Sequence, residues 1–223
     1  MNGSIVWRLI AKDLYLYRWL MAGSLAAGYL SLFLRRVESL SDNVALILFL
    51  TAIVALGIFI AMYGILAERK EKSMLFVLSL PVSTMQYTTA KIAASLIAFV
   101  VPWLALTLTI LGLTVAFDPP PDGAIPSTVA MMLFFLANFC VLMALLLVTG
   151  SEYWAVAGIL GTNFGVAVYM NVVTSLPGIA EYREGPVAVW SSAVLVVIAI
   201  EAAVIALSLG LAFYVQSRKK DFV

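Results

Sequence analysis

Six long apolar stretches, at about 18–34, 44–66, 89–117, 128–149, 154–174 and 188–215, alternate along the chain with short polar ones. Each matches or exceeds the roughly 17–25 residues with which a helix crosses a hydrocarbon core. A membrane barrel would instead show short strands of alternating polarity, so these continuous runs predict helices. Ahead of the first run, SIVWRLIAKDLYLYRW sets Ile5, Leu9, Ile10, Leu14 and Tyr17 at helical spacing, with Arg8, Lys12 and Asp13 between them. That pattern predicts an amphipathic helix over 4–17 lying on the cytoplasmic membrane surface. The competing reading is a plain cytoplasmic extension of the first span.

The placement of positive charge orients the spans. Ten of the thirteen Lys and Arg residues fall on one side: near the N-terminus, in the loop over 67–88 and its edge at Lys91, and in the tail. Arg35, Arg36 and Arg183 fall on the other. Because basic residues are retained in cytoplasmic loops, both termini and the 67–88 loop are predicted to be cytoplasmic.

Composition strengthens the membrane assignment. Of 223 residues, 64% are hydrophobic and 11% charged, against about 25% charged in a soluble domain. The predicted fold class is therefore an all-α membrane protein, one transmembrane domain over 1–223. No small-residue cleavage site follows a compact apolar core near the N-terminus, so a signal peptide is not expected. No internal repeat is evident, which gives no support to an inverted-repeat transporter.

Two further loops carry information. FDPPPDGAIPS is stiff, and its three consecutive prolines end the third helix. SLPGIAEYREGPVAV is polar at its centre and flanked by apolar residues. It fits either a short broken hairpin dipping into the outer leaflet or an ordinary external loop, and both readings stay open here.

Candidate chemistry is sparse. The chain has no His and a single cysteine, Cys140, which removes a disulfide framework and the usual imidazole ligands for haem or zinc. It has no phosphate-cradling G-x-x-x-x-G-K-[ST] loop, no G-x-S-x-G elbow and no metal-ligand cluster. No enzymatic activity, no metal and no nucleic acid is expected. Glu201, in VVIAIEAAVIAL, is the conspicuous exception within the spans, because an acid at mid-bilayer costs roughly 2.5–3.5 kcal/mol on insertion scales. Either it lines a translocation cavity, with Asn138 and Asn163 as further pathway candidates, or it is a protonated acid hydrogen-bonded through Asn138, Thr162 or Asn163. Ala157, Gly161 and Gly165 form a small-residue ladder, as do Gly23-Ala27 and Ser24-Gly28, which allows close helix packing within one chain or between two. Trp19, Trp154 and Trp190 fall near span ends as interfacial anchors, while Trp103 follows Pro102 at an expected kink in the third helix.

The segment ILAERKEKSMLFVLSLPVSTMQ is the most specific stretch. Five consecutive charges, Glu68 to Lys72, precede an apolar run too short to cross a membrane. Pro81 stops that run, and Ser83 or Thr84 can cap the next helix. About 20 residues are used where 3–5 would reverse the chain. The pattern E-R-x-x-x-S-x-x-x-x-L-S-L-P-V-S, followed by Lys91, resembles the cytoplasmic loop of ABC type-2 transporter permeases, and the tail FYVQSRKKDFV is similar to endings common among them. The resemblance extends over the whole chain.

That resemblance implies a permease subunit of an ATP-driven exporter in a cytoplasmic or inner membrane, most naturally a prokaryotic one. It implies a dimer of permease chains, surrounded by lipid, with two cytoplasmic ATPase subunits that hold the ATP and Mg; this chain needs no cofactor of its own. The 67–88 loop would carry the coupling helix, with Glu68, Arg69, Glu71, Met74, Leu75 and Leu78 at the ATPase contact. The second and fifth spans would line the route, and Gly161 and Gly165 would serve the dimer contact. The rival readings are a proton-coupled secondary transporter using Glu201 and a non-transporting membrane anchor or assembly subunit.

Overall fold

The computed structural model describes residues 3–34, 42–67, 83–116, 122–183 and 185–218. Among them every regular element is helical: α1 (Gly3–Leu34), α2 (Asp42–Ala61), α3 (Thr84–Ala116), α4 (Ala124–Thr149), α5 (Glu152–Val168), α6 (Pro177–Arg183) and α7 (Ser192–Arg218). Two helices end in wider π turns, α2 through Met62–Ala67 and α5 through Tyr169–Val173. Such turns insert a residue into the helical ladder and re-aim the side chains on either side.

Five helical stretches are long and apolar enough to cross a membrane: Val44–Ala67, Met85–Val115, Ala124–Thr149, Glu152–Val173 and Ser192–Arg218. They correspond to the second to sixth runs of the sequence. The expected first span is not among them, since α1 begins with Arg8, Lys12, Asp13 and Arg18 and is diluted by glycine and serine. Nor is there a separate surface helix over 4–17, because α1 runs unbroken for 32 residues. The apolar stripe assigned to the membrane surface instead packs on protein: Ile10 is buried against Ala90 and Ala94 of α3, with Val6, Leu9 and Leu14 beside it. Periodicity reports an apolar face but not what covers it, and here the cover is α3.

α4 is the central helix. Met132, Phe135, Phe139, Cys140, Met143 and Leu146 are all buried, and α2, α3, α5 and α7 pack around them. Phe139 stacks on Phe99 of α3 with ring centres 4.2 Å apart. Across the same seam the Trp103 indole N–H donates to the Met132 carbonyl at 2.8 Å. Trp103 thus ties α3 to α4 beside Pro102, a residue that lies inside the continuous α3.

Helix ends follow local chemistry. Ser83 caps α3 reciprocally: its Oγ accepts the Gln86 N–H at 3.2 Å, while its own N–H donates to Gln86 Oε1 at 3.0 Å, the pairing that S-x-x-Q favours. α4 ends at Gly150, whose φ of 61° suits a residue without Cβ and whose N–H returns to the Leu146 carbonyl. Between α5 and α7 the chain makes a short broken hairpin. The Ser191 hydroxyl donates to the Gly178 carbonyl, and Gly123 N–H donates to Gly185 O at 3.0 Å. A Cβ at Gly123 would lie 2.0 Å from the Tyr182 carbonyl oxygen, so the approach requires glycine. The stretch whose sequence fits either a dipping hairpin or an external loop carries the short helix α6, and 185–191 leads back to α7.

Candidate functional site

Glu68, Arg69, Glu71, Met74, Leu75 and Leu78 lie outside the described residues, but the platform from which their segment springs is described. It is built from the first half of α1, the π turn ending α2 and the capped start of α3. Tyr17 is buried with its ring end over Gly64, where an added Cβ would lie 1.9 Å from the phenolic oxygen. Ile65 and Leu66 continue into the core. One turn before Tyr17, Asp13 (4% exposed) meets Lys91 (3% exposed), with Lys91 Nζ donating to Asp13 Oδ2 at 2.8 Å. Lys12 approaches the other oxygen at 3.3 Å from the surface. Local patterning hides this pair: in sequence Lys91 reads as a loop-edge charge, and Asp13 lies on a polar face. The available signal was that each charge lies one helical turn from buried apolar residues.

Between α2 and α5 the bundle does not close. A groove of about 460 Å³ runs between them, walled by Leu50, Val54 and Ile58 on one side and Val166, Ala167 and Met170 on the other. Thr51 and Asn163 are its polar members. Asn163 is exposed and donates to the Ile159 carbonyl of its own helix at 2.8 Å, which leaves its amide oxygen without a bond to that carbonyl and free to accept. Asn138 lines a smaller adjoining pocket with Thr162 and Phe139, and its Nδ2 donates to the Thr162 carbonyl at 3.4 Å. The two asparagines picked out in sequence therefore border neighbouring spaces along one seam.

Glu201 borders neither space. It is 5% exposed on α7, and neither carboxyl oxygen has a partner at hydrogen-bond distance among the described residues. The polar group facing it is the phenol of Tyr169, which the π turn of α5 aims inward and which stacks on Phe134 of α4 at 4.2 Å. The expected partners Asn138, Thr162 and Asn163 are not the ones that hold it: their hydrogen bonds go to helix carbonyls. Tyr169 went unnoticed in the sequence because a tyrosine near a span end reads as an interfacial residue.

The small-residue ladders divide by face. Ser24 and Gly28 face the bundle, with the Ser24 hydroxyl donating to the Ala52 carbonyl at 3.1 Å and Gly28 against the Leu106 side chain. Gly161 is exposed, with no other group within 4 Å of where its Cβ would be, while Gly165 faces Asn138 and Phe134 of α4 at 3.8 Å. Around Gly161 the outer side of α5 is apolar throughout, with Tyr153, Val156, Leu160 and Phe164 exposed.

Searched against curated proteins, the chain finds no match. A family model described as ABC-2 family transporter protein matches residues 8–215. The chain belongs to that family, as an integral membrane component of a transport system.

Proposed function

We propose that this ABC-2 family chain is the permease subunit of an ATP-driven exporter and works as a pair of permease chains above two separate ATPase subunits. The observation that carries the reading is the unclosed α2–α5 seam. A stable single-chain bundle would fill it, whereas a subunit that contributes half of a pathway leaves such a wall open to its counterpart. Asn163, Thr51 and the neighbouring Asn138 supply the polar points of that wall. The exposed apolar side of α5 around Gly161 lies beside the seam and is where the second chain would pack, backbone close to backbone.

The 68–82 segment is the ATPase contact in this reading, with Glu68, Arg69, Glu71, Met74, Leu75 and Leu78 as its gripping residues. ATP and Mg bind in the partner, and closure of the paired ATPases pushes the segment. That push reaches the bundle through the two helices flanking it, α2 and α3, which are fixed to α1 by Tyr17 over Gly64 and by Lys91 on Asp13. Both termini face the cytoplasm, since most of the basic residues gather at that end, and the membrane is the cytoplasmic membrane of a prokaryote. No covalent chemistry belongs to this chain.

The test is co-purification of the chain with a candidate ABC ATPase subunit from the same source, followed by Glu68→Lys with Arg69→Glu, and separately Leu75→Asp. The expected result is loss of the complex and of stimulated ATP hydrolysis in both variants, with the permease still folded. Retention of complex and activity in both would overturn the coupling assignment. Transport by the chain without any ATPase, driven by a pH gradient, would replace the exporter with a secondary transporter.

A further inference from the structure

At the end of the bundle opposite the 67–84 connection lies a second, separate space. It is a cavity of about 260 Å³ enclosed by the ends of α1, α3 and α5, the starts of α2 and α4, and the hairpin helix α6. Its floor is apolar, with Leu46, Phe49, Ile110, Met131 and Met170. Its rim is polar. Four hydroxyls line it, those of Ser31, Thr114, Ser127 and Thr174, and each already donates its hydrogen to a carbonyl of its own helix, at 2.6, 2.9, 2.9 and 2.5 Å. What they present to the cavity is therefore lone pairs. A fifth hydroxyl, on Thr128, makes no hydrogen bond among the described residues and is available to donate.

Among the described residues the lining has one charged member, Arg183, the last residue of α6. Among those residues it makes no ion pair, and none of them brings a carboxylate into the lining. The rim thus carries a cation with a five-donor fork at one point and a set of acceptors at the others. This arrangement suits a ligand with an anionic group beside an N–H-bearing cation. At 260 Å³ the cavity is smaller than the ~300–1,000 Å³ of a typical small-molecule site, so it holds part of a molecule. Leu46 and Met170 are walls both of this cavity and of the α2–α5 groove, which gives an apolar continuation into the bilayer.

We propose that this cavity is a headgroup site for a phospholipid bearing a primary amine. The phosphate lies on Arg183 and Thr128, the ammonium on the serine and threonine oxygens, and an acyl chain in the α2–α5 groove. The broken hairpin α6 exists in part to bring Arg183 over that headgroup. The site shares the α2–α5 groove with the exporter reading but can be occupied whether or not an ATPase is bound, so its test is separate.

The test uses the delipidated full-length chain returned to nanodiscs of mixed phosphatidylethanolamine, phosphatidylcholine and phosphatidylglycerol, with retained lipid counted by native mass spectrometry. Phosphatidylethanolamine should be retained at least fivefold over phosphatidylcholine, whose trimethylated nitrogen has no N–H, and over phosphatidylglycerol, which has no cation. Arg183→Gln, an exposed change that leaves the helices intact, should remove most of that preference, and Ser127→Phe, which fills the cavity, should remove the bound lipid. Equal retention of the three lipids, a preference for phosphatidylglycerol, or an unchanged preference in Arg183→Gln would each overturn the proposal. So would displacement of the lipid by free phosphoethanolamine at equal concentration, which would show that the groove adds nothing.

Discussion

Two acidic side chains are buried among the described residues of this bundle, and their surroundings are opposites. Asp13, on the seam between α1 and α3, has a lysine at 2.8 Å and a second at 3.3 Å. Glu201, on the seam where α7 meets α4 and the end of α5, has no partner within hydrogen-bond distance among the described residues and faces only the Tyr169 phenol. The first is a closed contact at the end of the molecule that carries the 68–82 segment. The second is a polar group left in reserve against a helix, α5, whose spanning window is only 6% buried. A buried ion pair fixes the helices that carry it, because parting them exposes two uncompensated charges. A buried acid without a partner fixes little. The comparison therefore divides the bundle into a welded seam and a loose one.

The strongest test of that division is Lys91→Ala, which leaves the buried Asp13 carboxylate with only the surface Lys12 beside it and should cost about 3–5 kcal/mol in denaturant unfolding of the purified chain. Replacing both members with leucine should return stability to within about 1 kcal/mol of the parent, since a well-packed apolar pair avoids the desolvation cost. A double variant as weak as Lys91→Ala would mean that the pair is held by something other than charge. Next in size is Gly64→Ala on the same welded seam. Its new methyl would press on the Tyr17 ring end, so a loss of about 1–3 kcal/mol is expected from overpacking, read as a lowered melting temperature.

On the loose seam the effects shrink. Glu201→Gln should shift the unfolding free energy by less than about 1 kcal/mol, as no charged partner is left behind. A loss comparable to that of Lys91→Ala would abolish the contrast between the two acids. Smallest of all is Gly161→Ala, where the added methyl meets open space. The isolated chain should unfold unchanged within about 0.5 kcal/mol, while crosslinking between two chains should fall if their α5 helices pack at that glycine. An unfolding change with no crosslinking change would place Gly161 inside one subunit instead.

Much of this was legible in the sequence, and the exceptions share a cause. Five spans, the Ser83 cap and the folded-back segment after α5 all rest on local signals: run length, S-x-x-Q, and a Gly/Pro-punctuated polar stretch. The misplaced first helix shows where local signals end. Ile10, Leu14 and Tyr17 have the same spacing whether they face lipid or α3, and only the remote partner decides. Asp13 and Lys91 lie 78 positions apart, so each reads as a surface charge until the other is in place. Tyr169 reads as a membrane-interface aromatic until a π turn aims it inward at Glu201. The groove and the cavity are properties of helices failing to meet, and no single stretch of residues records that.

α3 is 33 residues long, about 50 Å at 1.5 Å per residue, and it is held near its middle. Pro102 has no N–H to give the preceding turn, and the next residue, Trp103, is fastened to α4 through the Met132 carbonyl. With α1 carried along on its near arm by the Lys91–Asp13 contact, a rod pinned there is a seesaw with arms of roughly 28 Å toward Ser83 and 21 Å toward Ala116. A tilt of about 10° would move the capped end by roughly 5 Å and the other end by roughly 4 Å in the opposite sense. Thr114 rides on that far arm, so a displacement of the Ser83 end is returned, reversed and slightly reduced, at the wall of the cavity lined by Thr114.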